Sequence, residues 1–395
     1  MTRQGSSQVI LGIDQFAQLS RKLRGKRLGL LCHAASVNSK LRHITSLFTS
    51  NGSSLRRLFA PEHGLWGVAQ DMESVKANKD PTTGLPVISL YGSDFASLRP
   101  KKEMMEGIDA VICDLQDVGS RYYTFVYSIA FMMQACRDAG VPVYVLDRPN
   151  PINGLGVEGG TLEKGYESFV GLYPIANRHG MTVGELAWMF NEAFQIFADL
   201  TVVKMKGWKR KWFHDETGVP WVMPSPNMPG VETALVYPGI CLIEATEISE
   251  GRGTTRPFEI FGAPFIEAER LAFRLKDFKL PGLIFRPLFF KPTFQKFAGR
   301  ICGGLQIHVT DRRRFRPYLT GLAVLKAIHD LYPSQFRWRE KPYEFVRDIP
   351  AIDLLTGSDR FRKMLEEGRS WKEIKGDYEE GKATFLKQRK EFLLY

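Results

Sequence analysis

The sequence predicts an α/β protein, in which a Rossmann-like, doubly wound parallel sheet is followed by a smaller α/β or α+β domain. Short apolar runs alternate with helical patterns through the first half of the chain. Continuous apolar strands separated by helices are typical of a parallel sheet that is covered on both faces. A length of 395 residues is in the range expected for two domains.

The elements of the first half follow one another in a regular order. The apolar runs predict six strands: Arg27–Cys32, Leu55–Ala60, Val87–Tyr91, Ala110–Asp114, Val141–Leu146 and Leu200–Met205. The stretches between them predict four helices: Lys40–Thr49, Lys101–Gly107, Tyr122–Ala139 and Val183–Phe197. Because strands and helices alternate, the first five units predict a doubly wound core.

A domain boundary is predicted near residue 230. Four prolines stand in a Gly- and Asn-rich stretch over Met223–Pro238, where the alternating pattern stops. We therefore expect an N-terminal domain over residues 1–230 and a smaller domain over residues 231–395 that closes a cleft against it. The second half predicts helices over Ile266–Phe278, Thr320–Leu331 and Asp359–Glu367, and strands over Gly282–Lys291 and Gly304–Val309.

Several classes of site lack their sequence motifs. Five cysteines lie far apart with no Cys-x-x-Cys, which favours buried free thiols over disulfides or a zinc site. No Gly-x-Gly-x-x-Gly follows the first strand, where Leu31–Ala35 stands, so a dinucleotide site is not expected. The Walker A, Gly-x-Ser-x-Gly and His-Glu-x-x-His motifs are also absent. We expect no cofactor and no metal.

The formal net charge of +11 indicates either a solvated basic surface or an anionic partner. Basic residues cluster at Lys204–Lys211 and Arg312–Arg316, but no zinc-finger, RRM or basic-zipper pattern supports nucleic-acid binding. The N-terminal residues lack a signal-peptide pattern, and no apolar run is long enough to span a bilayer. The sequence as written predicts a cytoplasmic protein, or a secreted one if it is a trimmed form. It leaves the oligomeric state open.

The most informative motif is Pro61–Gly64, which ends the second strand with a carboxylate and an imidazole. Proline ends the hydrogen-bonding ladder, and ligands of open α/β sheets bind at the carboxyl ends of the strands. Polar and aromatic side chains also follow the third, fourth and fifth strands, so they share that edge in a parallel sheet. This mixture suits a polyhydroxylated ligand. The residues expected to bind it are His63, Trp66, Tyr91, Gln116, Arg121, Asp147, Arg148, Asn150, Asn153, His179, Asn227, Glu250 and Arg252.

Several of these candidates also have a structural interpretation. Asp117 can cap the helix that follows it, and Asp147 with Arg148 can form an ion pair that fixes a turn. Glu158, between glycines in a loop, is harder to explain by structure alone. The loop 244–256, dense in carboxylates, hydroxyls and arginines, either forms surface ion pairs or closes the pocket from the second domain.

A set of motifs occurs in order along most of the chain. They are Pro61–Gly64, Asp80–Pro86, Leu115–Gly119, Leu146–Pro151, Val157–Gly159, Met205–Trp208, Trp221–Asn227 and Ser249–Thr254. Together they resemble the motifs of the NamZ-type exo-β-N-acetylmuramidases, a bacterial family, over roughly residues 10–390. The resemblance implies a Rossmann-like domain, a smaller C-terminal domain, and an active site in the cleft between them.

The resemblance also implies an activity. It is exo-acting release of N-acetylmuramic acid from the non-reducing end of peptidoglycan fragments, in cell-wall turnover and recycling. The implied partners are peptidoglycan-derived disaccharides or muropeptides. Relatives are often secreted with a signal peptide, and in this respect the sequence departs from the family.

Glycoside hydrolysis requires a proton donor and usually a second carboxylate. Glu62 is the first candidate for the general acid, and Glu158 or, second, Asp117 is the candidate for the nucleophile or base. A guanidinium group suits the lactyl carboxylate of the substrate. The candidates for that role are Arg148, Arg178, Arg252 and Arg256.

Two other functions stay open at this point. One is a muropeptide- or sugar-binding protein without catalysis, in which the carboxylates only bind hydroxyl groups. The other is a metal-dependent hydrolase built on His33, His63 and aspartates that meet in space.

Overall fold

A seven-stranded sheet organises the first half of the computed structural model, which describes residues 8–50, 54–73 and 78–395. Its order is β3-β4-β2-β1-β5-β6-β7, with β3 antiparallel to β4 and the other neighbours parallel. The chain starts at the middle of the sheet, builds one side and then the other, which confirms the predicted doubly wound fold. The strands are β1 (Arg27–Cys32), β2 (Ser54–Ala60), β3 (Asn78–Lys79), β4 (Pro86–Ser89), β5 (Ala110–Asp114), β6 (Val143–Leu146) and β7 (Leu200–Val203).

The central strands are apolar on both faces because helices cover both sides of the sheet. All of β5 and β6 is buried, as is β1 after its first residue. The helix before β5 was expected over Lys101–Gly107, but only a 3₁₀ turn over Lys102–Met105 forms there. The helices of this half are α1 (Phe16–Lys22), α2 (Ile44–Ser50), α3 (Phe125–Ala139) and α4 (Val183–Glu192).

The second half forms a three-stranded antiparallel sheet with helices packed around it, as the predicted smaller α/β or α+β domain requires. The order is β8-β10-β9. The strands are β8 (Ile260–Ala263), β9 (Leu283–Phe290) and β10 (Cys302–Val309). The helices are α5 (Val231–Ile240), α6 (Ala268–Leu275), α7 (Pro317–Leu331), α8 (Ala351–Thr356), α9 (Arg360–Glu366), α10 (Trp371–Asp377) and α11 (Lys382–Arg389).

Helices α5 and α7 cross with their backbones in contact. A Cβ atom at Gly239 would lie 1.9 Å from the carbonyl oxygen of Pro317, and one at Gly321 would lie 2.2 Å from that of Gly239. Only glycine allows this approach, so these two helices of the second half pack directly against each other.

The two halves share one hydrophobic core, in which α3 is buried on nearly all sides. Arg121, predicted to bind ligand, is instead fully buried and donates to the carbonyl oxygens of Gly160, Ile175 and Leu355. It therefore ties the loop before α3 to the end of α8. The division of the chain at residue 230 stays a prediction.

The five cysteines are buried and free, as expected. Among the helices in the described part of the chain, none combines the length and the apolar character that a membrane crossing requires.

Candidate active site

A cavity lies where the carboxyl end of β2 meets the start of α3 and the second half of the chain. The space between its atoms, with the open solvent at its mouth counted in, amounts to about 500 Å³. Aromatic rings form much of its wall, among them Tyr123, Phe125, Tyr237 and Phe258. The charged side chains that line it are Glu62, Asp71, Glu244, Arg252 and Glu344. A sugar needs both rings to stack on and polar groups for its hydroxyls, and this cavity offers both.

Glu62 enters the cavity from the end of β2, as the sequence predicts. Its side chain is buried, with 5% exposure. Oε2 accepts a hydrogen bond from the hydroxyl of Thr124 (2.8 Å), and Oε1 accepts one from the backbone N–H of Met72 (3.4 Å). Thr124 is the residue that precedes α3, so the carboxylate lies at the N-terminus of that helix. Two donors therefore fix the position of this carboxyl group in the cavity wall.

His63 also lines the cavity, and one contact fixes the orientation of its ring. Its backbone is left-handed, with φ 68°, and Gly64 continues the turn with φ 78°. Nδ1 lies 3.0 Å from the carbonyl oxygen of Ala69. A carbonyl oxygen can only accept, so Nδ1 carries a hydrogen in this contact.

Glu344 is a second buried carboxyl group in this cavity, and it is not among the site residues predicted from the sequence. It has 6% exposure, and its Oε2 accepts a hydrogen bond from the hydroxyl of Tyr91 (3.0 Å). Burial, followed by the nearby charge of Glu62, raises the pKa of Glu344 well above its ordinary value. Tyr91 was predicted to bind ligand, and it reaches the cavity only through Glu344.

An ionic cluster forms the side of the cavity that comes from loop 244–256. Nη1 of Arg252 lies 2.8 Å from Glu244 and 2.9 Å from Glu250, and its Nε lies 3.4 Å from Asp71. Lys296 binds the other oxygen of Glu250 at 2.9 Å. Although burial opposes it, the charges of Lys296 and Arg252 lower the pKa of Glu250 to about 2. The loop therefore lines the cavity, as expected, and holds its arginine in place with carboxylates.

Glu244 differs from Glu250 in its electrostatics. Its Oε2 accepts a hydrogen bond from the hydroxyl of Tyr343 (2.8 Å). Burial nevertheless raises its pKa, against the opposing charge of Arg252. The cluster thus contains one firmly ionised carboxylate and one that resists ionisation.

Two of the three predicted catalytic carboxylates lie elsewhere. Oε1 of Glu158 binds Nη1 of Arg178 at 2.9 Å, and both side chains are almost fully buried. Asp117 accepts a hydrogen bond from the N–H of Gly119 (2.6 Å), and the same oxygen lies 3.2 Å from Nε2 of His179. Neither carboxylate lines the cavity. Asp117 does not cap α3 either, because its oxygen closes a local turn.

Asp147 and Arg148 follow β6, as predicted, but they are not an ion pair with each other. Arg148 instead donates to Asp114, with its Nε 2.5 Å from Oδ1. The carboxylate of Asp147 accepts hydrogen bonds from Thr182, Gly184, Tyr395 and the N–H of Arg148. Burial raises the pKa of Asp147 to about 6. Both residues are structural, since their polar atoms are used within the protein.

Of the other residues predicted to bind ligand, one lines the cavity and five lie outside it. Asn227 lines the cavity, and its Nδ2 donates to Gln70 (2.9 Å). Residues that bind backbone or side-chain groups outside the cavity are Trp66, Gln116, Asn150, Asn153 and His179. Gln116, Asn150, Asn153 and His179 are buried, whereas Trp66 is exposed at the surface.

His33 does not have the contacts expected of a metal ligand. Its Nδ1 lies 3.2 Å from the carbonyl oxygen of Pro224, and its Nε2 accepts from the N–H of Gln116 at 3.0 Å. Both ring nitrogens are thus occupied by backbone groups. Residues 8–50, 54–73 and 78–395 contain no group of three or more His, Cys, Asp or Glu side chains that could hold a metal ion.

Comparison with known families accounts for nearly all of the chain. Residues 28–232 match the N-terminal domain model of the exo-β-N-acetylmuramidase NamZ, and residues 235–395 match the C-terminal domain model. The peptidoglycan β-N-acetylmuramidase NamZ of Bacillus subtilis (strain 168) is 48% identical over 386 residues. These cover 97% of this chain and 91% of that protein.

Two crystal structures from Bacteroides fragilis share the fold. Both are of DUF1343 family proteins. One is 32% identical with a TM-score of 0.88, covering 99% of this chain and 100% of its own. The other is 30% identical with a TM-score of 0.78, covering 98% and 99%.

Proposed function

We infer that this chain, which belongs to the NamZ family of exo-β-N-acetylmuramidases, releases N-acetylmuramic acid from the non-reducing end of peptidoglycan fragments. The substrates would be disaccharides or muropeptides derived from the cell wall. The observation that carries the proposal is the cavity in which two buried carboxyl groups, Glu62 and Glu344, lie among aromatic rings. Acid–base cleavage of a glycosidic bond needs such a pair.

The cavity also fits the two-domain arrangement that the proposal requires. Glu62 and Thr124 come from the first half of the chain, whereas Arg252, Tyr343 and Glu344 come from the second. We propose the division at residue 230 as the domain boundary, with the active site in the cleft between residues 1–230 and 231–395.

Arg252 is the proposed partner of the substrate's lactyl carboxylate. Of the four candidate arginines, it alone lines the cavity within the described residues. The others are paired outside it: Arg148 with Asp114, Arg178 with Glu158 and Arg256 with Glu259. A guanidinium group can bind a carboxylate through two parallel hydrogen bonds.

The test is release of 4-nitrophenol from the β-N-acetylmuramide, with the β-N-acetylglucosaminide, which lacks the lactyl group, assayed in parallel. We expect turnover of the muramide and little or none of the glucosaminide. Equal rates on both would contradict recognition of the carboxylate. Tight binding of a muropeptide without turnover would show a binding protein instead of an enzyme.

A further inference from the structure

We propose that Glu344 is the catalytic proton donor and that Glu62 acts as the partner carboxylate. This inference rests on the proposed glycosidase function. It reverses the sequence-based expectation, in which Glu62 was the general acid.

The backbone holds Glu344 in an unusual conformation. The N–H and C=O groups of Tyr343 and Val346 pair with each other in a two-residue turn. The central residues, Glu344 and Phe345, have φ of 45° and 69°. This is the geometry of a type I′ turn, which normally contains Asn or Gly. Strained residues of this kind are concentrated at functional sites.

Contacts made by the residues of the turn keep the strain in place. At its first residue, the hydroxyl of Tyr343 donates to Glu244 in the ionic cluster. At its centre, the ring of Phe345 lies 5.2 Å from that of Tyr91, whose hydroxyl donates to Glu344. The carboxyl group is therefore anchored at one oxygen while the side chain lines the cavity.

The surroundings of Glu344 are mostly acidic. Glu62, Glu244 and Asp71 act on it from three other segments, and each opposes a further negative charge. The hydroxyl of Tyr91 acts in the opposite sense, because a donor stabilises the ionised form. Burial and the three carboxylates outweigh that hydrogen bond, so Glu344 retains its proton at pH values where an exposed glutamate has lost it.

Glu62 is held in the opposite way. It accepts hydrogen bonds from the hydroxyl of Thr124, which lies at the start of α3, and from the backbone N–H of Met72. These donors stabilise a carboxylate. Both oxygens of Glu62 thus accept hydrogen bonds from protein donors, whereas Glu344 is anchored at one oxygen, and such a difference between two nearby carboxyl groups is the basis for assigning acid and partner.

The reaction then balances as a hydrolysis. Glu344 gives its proton to the glycosidic oxygen as the bond from C1 to that oxygen breaks, and the leaving sugar departs with a hydroxyl group. The Glu62 carboxylate stabilises the positive charge that develops at C1. Water adds its hydroxyl to C1, and its remaining proton restores Glu344.

The test compares substrates with leaving groups of different acidity. A dinitrophenolate leaves without protonation, whereas the sugar of a MurNAc-GlcNAc disaccharide requires it. We expect E344Q to lose about 10²–10⁴-fold in kcat/KM on the disaccharide and less than tenfold on the 2,4-dinitrophenyl muramide. E62Q should lose activity on both substrates. Glu340 is an exposed carboxylate in the same segment. The variant E340Q is therefore the matched control and should behave as wild type.

The outcomes separate this inference from the proposed function. A wild-type protein that cleaves neither substrate would overturn both. An active wild type with E344Q impaired equally on both substrates, or on neither, would overturn the role of Glu344 alone. Should E344Q fail to fold, E344D retains a carboxyl group on a shorter chain. It must then show the same selective loss on the disaccharide, and an equal loss on both substrates would overturn the role.

Discussion

The hydroxyl of Tyr91 is the group through which the pH dependence of Glu344 can be changed. Burial raises the pKa of Tyr91, so the hydroxyl keeps its proton and donates to the carboxyl group. This donor favours the ionised form of Glu344, and Tyr91→Phe removes it. We therefore expect the pKa of Glu344 to rise further. If Glu344 must be protonated, the high-pH limb of the kcat/KM profile should move to higher pH in Y91F, and an unchanged limb would contradict the prediction.

The same residues show what local sequence can and cannot predict of the site. Glu62 and His63 were predicted because Pro61 and Gly64 mark the end of a strand locally. Glu344 was missed because its turn contains neither Gly nor Asn, and its hydrogen-bond partner lies 253 residues away. The site depends on a contact that only the folded chain creates.

At the scale of elements, the ion pair of Glu158 and Arg178 holds two segments of the chain together. It joins two loops whose backbones also pair, with N–H···O distances of 3.1 and 2.9 Å between these residues. Because both side chains are almost fully buried, Glu158→Gln leaves an arginine charge uncompensated. We expect a loss of about 3–5 kcal/mol in the free energy of unfolding, measured by denaturant titration. The fraction that remains folded should keep the wild-type kcat.

A double variant, E158L/R178M, supplies the control for that prediction. It removes both charges and leaves apolar groups of similar size, so it should be more stable than E158Q. A stable E158Q protein without activity would instead return Glu158 to the catalytic machinery.

At the level of elements, apolar runs predicted the strands well because burial on both faces leaves a clear pattern. Helix bounds were less accurate, since tertiary contacts decide where a helix ends. The predicted helix Val183–Phe197 stops at Glu192, and Gln195 and Phe197 take left-handed backbones in the turn that follows. The edge of the sheet was predicted to be one open site, but most of the residues predicted there are buried outside the cavity.

At the scale of the whole molecule, Tyr395 joins distant parts of the sequence, because its hydroxyl binds two residues next to the large sheet. Its hydroxyl donates to Oδ2 of Asp147 (2.6 Å) and accepts from the N–H of Met205 (2.7 Å). Tyr395→Phe leaves both groups short of a partner. We expect a loss of about 1–3 kcal/mol in the free energy of unfolding.

That loss should depend on pH, because Asp147 titrates. Burial raises its pKa to about 6 in the folded protein, so folding favours the protonated form and stability falls as pH rises through that value. The Tyr395 hydroxyl offsets part of this fall by stabilising the ionised carboxylate. Y395F should therefore be more destabilised, relative to wild type, at pH 8 than at pH 5. A difference that is constant between pH 5 and pH 8 would contradict this account.

The contact between Asp147 and Tyr395 also has a consequence for synthesis on the ribosome. The two residues are 248 positions apart, so at ordinary translation rates about 12–50 s pass between their incorporation. Throughout that interval the carboxylate at the end of β6 lacks one of its donors. The hydrogen bonds at the end of β6 are therefore completed only after Tyr395 has been incorporated.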